Sequence, residues 1–255
     1  MGLLFAGRTD VGRKREHNED SLLLNEKHGL FTIADGMGGH ASGEVASKLA
    51  VDVLNEFIEI SGDDSDITWP FEFDEGVSME ANRIFTAIKL ANMKIIEVTQ
   101  ERKELEGMGT TLVTLLVQGE HAYIGHVGDS RAYLVRNNEL SQLTSDHSWV
   151  NEQMKLGVLT KAEARNHPYR NVVTRALGGR EVIKADLACE KLQPNDIILL
   201  CSDGLNSMID DDRILEIILG QTDDLEACCQ ALVEAANNAG GDDNISVVLT
   251  RYAPS

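Results

Sequence analysis

Six acidic residues of this 255-residue chain stand where strand-like apolar runs begin or end. Asp35 follows LFTIA (30–34) and precedes Gly36, and Asp203 follows DIILLCS (196–202) and precedes Gly204. Asp129 comes after AYIGHVG (122–128), ahead of Ser130 and Arg131, while Asp243 stands directly before NISVVLTR (244–251). Glu19 and Asp20 open the run DSLLL (20–24). Taken singly, each has an ordinary explanation as turn chemistry, since Asp-Gly is a common turn pair and Gly-Asp-Ser starts many hairpins. Taken together they imply more. If the strands are neighbours the carboxylates converge, beside glycines that let backbone approach closely. Crowded like charges must then be neutralised by cations or protons. Hard divalent ions with oxygen ligands, Mn²⁺ or Mg²⁺, are the natural solution. No zinc-type spacing competes: the seven histidines show neither H-x-x-x-H nor H-E-x-x-H, and no Cys/His cluster has ligand spacing. Arg15, four and five residues before Glu19 and Asp20, should lie near the same mouth. Its planar fork could clamp two phosphate oxygens there, or simply pair with the local acids.

The elements that must position these groups alternate in blocks. Short strands at 3–7, 20–24 and 30–34 precede a helical pattern over 43–60, with Val45, Leu49, Val53 and Phe57 on its stripe. An acidic Trp-Pro loop (61–76) leads to a second helix over about 78–105, carrying Ile84, Ile88, Ala91, Ile95 and Val98. TTLVTLLVQ, HAYIGHVG, RAYLVR and ELSQL follow as strands, with Gly119-Glu120 and Asn137-Asn138 as tight-turn signals between them. Residues 147–180 read as small helices and loop, with Thr160 and Glu163 as a capping box. Strands at 183–190 and 196–202, helices at about 211–219 and 223–239, and the strand 244–251 complete the chain. The pattern predicts one α+β domain, a sandwich of two antiparallel β-sheets with pairs of helices on both outer faces.

Composition narrows the partners. With 42 acidic against 23 basic side chains the net charge is −19, which argues against nucleic acid and against anionic membranes. The N-terminus has no signal-peptide pattern, and no apolar run is long enough to span a bilayer. Cys189, Cys201, Cys228 and Cys229 form no C-x-x-C pair and read as small buried hydrophobes in a reducing, cytoplasmic compartment. The glycine-rich stretch 36–41 matches a loose dinucleotide fingerprint. That reading fails because its helix runs into a loop and another helix rather than a strand, and Asp35 would repel a pyrophosphate.

R-E-H-N-E-D (15–20), D-G-M-G-G-H (35–40), G-M-G-T-T-L (107–112), G-D-S-R (128–131), C-S-D-G-L (201–205) and G-D-D-N-I-S-V (241–247) occur in this order. Together they resemble the motif series of the metal-dependent, type 2C (PPM-type) Ser/Thr protein phosphatases. The segments 146–157 and 167–179 further resemble the bacterial single-domain subgroup, in which they form a flap beside the active site. The resemblance runs from about Thr9 to Leu249.

It implies a single catalytic domain over 1–255 with a flap at about 146–180. It also implies hydrolysis of phosphoserine and phosphothreonine by direct attack of a hydroxide bridging two Mn²⁺ or Mg²⁺ ions. Asp35 would bridge the metals and the Gly36 carbonyl would complete the second site, with Asp203 and Asp243 on the first. Glu19 and Asp20 would hold metal-bound waters, Asp129 with Asp203 would form a weaker third-metal site, and Arg15 would hold the phosphate. Animal members carry a His directly after the Asp-Gly pair, where this chain has Met37. His40 is the nearest candidate general acid, with a water in the metal site as the alternative source and helix capping as the other role for His40. Substrates would be phosphorylated proteins, including a Ser/Thr kinase and its targets; a monomer is expected because the sequence shows no coiled coil or extended apolar helix face that demands a dimer. A catalytically dead relative that only binds phosphoproteins is the second class, and the presence of every metal acid argues against it.

Overall fold

The computed structural model describes residues 2–38, 42–63 and 68–253. Strands β1 (Gly2–Asp10), β2 (Asp20–Asn25) and β3 (Leu30–Met37) come first, followed by helices α1 (Ser42–Asp63) and α2 (Met79–Glu101). The middle of the chain holds β4 (Gly109–Thr110), β5 (Leu112–Gln118), β6 (His121–Val127), β7 (Arg131–Arg136) and β8 (Glu139–Gln142). Short helices α3 (Trp149–Lys155) and α4 (Lys161–Arg165) lead to β9 (Asp186–Lys191) and β10 (Ile197–Cys201). Helices α5 (Asp203–Asn206), α6 (Asp211–Gly220) and α7 (Leu225–Asn238) precede β11 (Ile245–Ala253).

One sheet runs β1-β11-β10-β7-β8 and the other β2-β3-β5-β6-β9, with β4 pairing β3, and all pairings are antiparallel. The sandwich expected from the sequence is what the chain builds. Asn137 and Asn138, both at positive φ (54° and 62°), make the tight β7–β8 turn that their residue type favours.

The central strands are apolar on both faces, and period-two alternation divides their side chains between cores. Phe31 and Ile33 of β3 meet Ile198 and Leu200 of β10 and Val248 of β11 between the sheets. Leu30 and Ala34 face outward into the core beneath α1 and α2. Ile197, Leu199 and Cys201 face outward beneath α6 and α7. Truncating one of the buried Leu or Ile side chains to Ala would cost about 2–5 kcal/mol, so the frame that carries the strand ends is stiff.

Several expectations need correction. The buried stripe of α1 is Ala46, Ala50, Leu54 and Ile58, while Val45, Leu49, Val53 and Phe57 pack half-buried on its flank. A shift of one residue turns a helix by about 100°, and the alanines win because small side chains let the helix approach its neighbours closely. Helix α2 stops at Glu101 rather than 105, because Arg102 turns extended and a 3₁₀ turn then buries Leu105. TTLVTLLVQ is two strands, since Gly109–Thr110 pairs with the end of β3 while Leu112 onward pairs further back along it. Cys189 is exposed, because β9 is an edge strand whose alternate positions face out; the other three cysteines are buried.

Candidate active site

Pairing brings the acids to one end of both sheets. Asp20 lies directly opposite Asp35 in the β2–β3 ladder, so Asp35 and Gly36 belong to β3 rather than to a turn after it. In the other sheet Cys201 is opposite both Arg131 and Val247. Asp203, two residues beyond Cys201, therefore sits between the approaches of Asp129 and Asp243, where it begins the short helix α5. Asp20 stitches the two sheets together: its Oδ2 accepts from Ser202 Oγ at 2.8 Å and from Ser246 Oγ at 2.6 Å.

Each remaining residue has an identifiable anchor. The Asp35 carbonyl accepts from the Thr111 amide and the Thr110 hydroxyl, both at 2.8 Å. Thr111 Oγ1 also meets Ser130 Oγ at 2.7 Å, which ties Asp35 to the Asp129 turn. Gly36 is a steric requirement, because a Cβ there would lie 2.2 Å from the Gly43 carbonyl oxygen and 2.6 Å from that of Glu19. The Glu19 amide donates to Asn244 Oδ1 at 2.8 Å, and Asn244 Nδ2 donates to the carbonyls of Val11 and His17 at 2.9 Å each. Arg15 reaches the mouth, where its Nη2 donates to Asp243 Oδ2 at 2.7 Å with the guanidinium half exposed. His40 lies outside the described residues.

The electrostatics are those of an uncompensated acid cluster. Burial, reinforced by repulsion from Asp203 and Asp243 against two serine hydrogen bonds, raises Asp20 to about 7. Burial and then Asp203 and Asp146 raise Asp129 to about 8. Burial and Asp243 raise Asp203 to about 6, although a hydrogen bond with Asp35 pulls the other way. Asp35 is held well above the usual carboxylate range by burial and by repulsion from Asp20, Asp203, Asp129 and Asp243. Asp20 Oδ1 is buried and has no hydrogen-bond partner. Four carboxyls with raised pKa, and an orphaned oxygen among them, are what a divalent-cation cradle looks like before its charge is neutralised.

A second constellation escaped the sequence reading. His126, His147 and Asp186 bring ligand-type atoms within 4.8 Å of one another, although no sequence spacing announces it. Here a cation is already built in: Arg175 Nη1 stands 3.0 Å from Asp186 Oδ1 and 3.0 Å from His147 Nε2. Burial, then the neighbouring His147, lowers His126 to about 4, and burial lowers His147 as well. Sequence reasoning also left Ser202, Ser246, Asn244 and Thr111 without roles, although Ser202 and Asn244 adjoin Asp203 and Asp243.

The family model for protein phosphatase 2C matches residues 10–246. The chain belongs to the protein phosphatase 2C family. It is a metal-dependent protein-serine/threonine phosphatase of the PPM type. The serine/threonine phosphatase stp of Listeria welshimeri is 37% identical over 249 residues, covering 95% of this chain and 93% of that protein. PstP of Mycobacterium tuberculosis is 38% identical over 97% of this chain, which matches 44% of that longer protein. The crystal structure of the Mycobacterium tuberculosis phosphatase PstP/Ppp superposes with a TM-score of 0.87 at 36% identity, with 99% of each chain covered. A catalytic domain of PstP solved in complex with two manganese ions superposes with a TM-score of 0.83 at 35% identity, again over 99% of each chain.

Beside this phosphatase's acid mouth runs a cleft of about 670 Å³ whose lining includes Asp129 and Asp203. Arg165, ending α4, and Arg170 beyond it line the cleft, as do Asp210 and Asp212 near the start of α6. Lys161 of α4 bridges to Asp211 of α6 at 2.9 Å. No helix among the described residues is long and apolar enough to cross a membrane.

Proposed function

We propose that this phosphatase hydrolyses phosphoserine and phosphothreonine in proteins by direct attack of a hydroxide, without a phosphoenzyme. The observation that carries this reading is the cluster of Asp20, Asp35, Asp129 and Asp203, all with raised pKa and with Asp20 Oδ1 unpartnered. Two Mn²⁺ or Mg²⁺ ions bound there supply the hydroxide at neutral pH by acidifying a shared water.

The chain's own residues do the rest. Asp35, the Gly36 carbonyl, Asp203 and Asp243 would hold the ions. Glu19 and Asp20 orient water in the mouth, and Asp129 with Asp203 forms a weaker third site. Arg15, kept at the rim by Asp243, swings its fork onto the phosphate oxygens, where charge grows in the transition state. The leaving alkoxide takes its proton from a water in the mouth, with His40 as the other source to be tested. Cys201 takes no part, because burial raises its thiol to about 12.

The substrate chain is placed in the cleft beside the flap, whose lining combines Arg165 and Arg170 with Asp210 and Asp212. The net charge of −19 disfavours acidic phosphopeptides, so basic residues near the phosphate help at low ionic strength. The partners are phosphorylated proteins, among them a Ser/Thr kinase and its targets. The catalytic domain that carries this activity spans the family match at 10–246 and works as a monomer, and its four unpaired cysteines fit a reducing compartment.

Turnover of p-nitrophenyl phosphate tests the reading. It should require added Mn²⁺, vanish with EDTA and return on metal excess. Turnover that survives exhaustive chelation would overturn it.

A further inference from the structure

His126, His147 and Asp186 resemble a transition-metal ligand set, but the hydrogen bonding argues against one. The Gly128 amide donates to His147 Nδ1 at 3.0 Å, so the neutral ring carries its proton on Nε2, which faces Asp186 Oδ2 at 3.2 Å. A ring that ligates through Nε2 donates a proton from its other nitrogen, the reverse of what Gly128 requires. His126 is also engaged, with Nε2 3.1 Å from the Ser145 carbonyl and its ring stacked on His147 at 4.3 Å. The Arg175 guanidinium occupies the cation's place.

What the cluster does hold is Gly128. His147 grips that residue from both sides: its ring accepts the Gly128 amide, and its own amide donates to the Gly128 carbonyl at 2.8 Å. Gly128 has φ +113°, and a Cβ there would lie 2.5 Å from the Thr111 side chain, so this peptide has one tolerated setting. The next residue is Asp129, only 8% exposed, followed by Ser130, which is bonded to Thr111. Alongside, Arg131 makes a two-pronged pair with Asp146, the residue before His147. The His147 carbonyl in turn accepts the Thr174 amide at 2.8 Å, next to Arg175.

We propose that His147 is a positioning residue for Asp129. By fixing the Gly128 peptide it aims the Asp129 carboxylate into the mouth. The Asp186 carboxylate, itself paired with Arg175, accepts from Nε2–H and so holds the ring in the tautomer that accepts the Gly128 amide. This rests on the proposed role of Asp129 in the weaker third metal site.

The test is calorimetric titration of metal-free protein with Mn²⁺, alongside kcat and KM, for wild type, Asp129→Asn, His147→Leu, His147→Asn and Asp186→Ala. His147→Leu leaves a buried amide unpaired and should weaken the weakest Mn²⁺ site about tenfold while sparing the tighter ones. His147→Asn, whose Oδ1 can replace Nδ1 as acceptor, should restore most of that affinity. Asp186→Ala, at a half-exposed position that tolerates truncation, should give a smaller loss at the same site, and it decides the matter if His147→Leu does not fold. Wild-type binding in both His147→Leu and Asp186→Ala, or equal impairment of His147→Leu and His147→Asn, overturns the proposal. If Asp129→Asn binds Mn²⁺ as wild type does, the reading of Asp129 fails and the proposal with it. If Asp129→Asn is weak and both His147→Leu and Asp186→Ala are normal, only the proposal fails.

Discussion

Two clusters of ligand-type side chains lie close together in this molecule, and they differ in where their compensating charge comes from. At the mouth, Asp20, Asp35, Asp129 and Asp203 crowd together with raised pKa, while Arg15 pairs with Asp243 at the rim and Arg131 pairs with Asp146. At the His126–His147–Asp186 cluster a guanidinium already sits between the ligands. Burial pushes the Asp186 carboxyl up, but the His147 hydrogen bond and the Arg175 charge outweigh it, and its net shift is downward. The comparison separates ligand-type residues whose charge the fold already balances from carboxylates whose charge it leaves unanswered.

The contrast breaks most visibly under charge removal. Asp35→Asn should cut kcat by about a thousandfold or more, because it removes a carboxylate proposed to hold the ions. Asp186→Ala should cost less than about tenfold, since it removes an internal ion pair that is partly exposed. Comparable losses in the two variants would erase the distinction. Arg15→Ala should lower kcat/KM by about 10- to 100-fold, the worth of one charge-assisted contact to phosphate, with the thermal midpoint nearly unchanged.

A smaller effect sharpens the electrostatic side. In metal-free protein Asp203, Asp20 and Asp129 titrate near 6, 7 and 8, against a usual 3.8. The folded state thus keeps protons that the unfolded chain has lost. The resulting stability is fully present below the unfolded pKa and fades as pH rises through the folded values. Melting of the EDTA-treated enzyme should therefore fall by about 5 °C or more between about pH 5 and pH 8.5, at roughly 2–4 °C per kcal/mol for a domain of this size. Saturating Mn²⁺ should flatten that slope. A flat metal-free profile would mean that the acids are not strained.

The mouth was legible in the sequence because its signal is local: an acid at one end of an apolar run, with a glycine beside Asp35, Asp129 and Asp203. Asp35-Gly36 and Asp203-Gly204 both read that way, and Asp20 opposite Asp35 needed only correct pairing. The supports were not legible. Ser202 and Ser246 reach Asp20 from 182 and 226 residues away, and the His147 grip on Gly128 spans 19 residues. Such contacts leave no periodicity. The stripe of α1 was misread for a related reason, since weight went to its large side chains while packing went to its alanines.

The central claim is that uncompensated carboxylates at the strand ends hold divalent cations. It is tested most directly by titrating metal-free protein with Mn²⁺, reading bound ion by electron paramagnetic resonance in wild type and Asp35→Asn. The predicted result is two tight sites in the wild type, with at least one abolished in a variant whose circular dichroism is unchanged. Equal Mn²⁺ stoichiometry and affinity in the two proteins would contradict it.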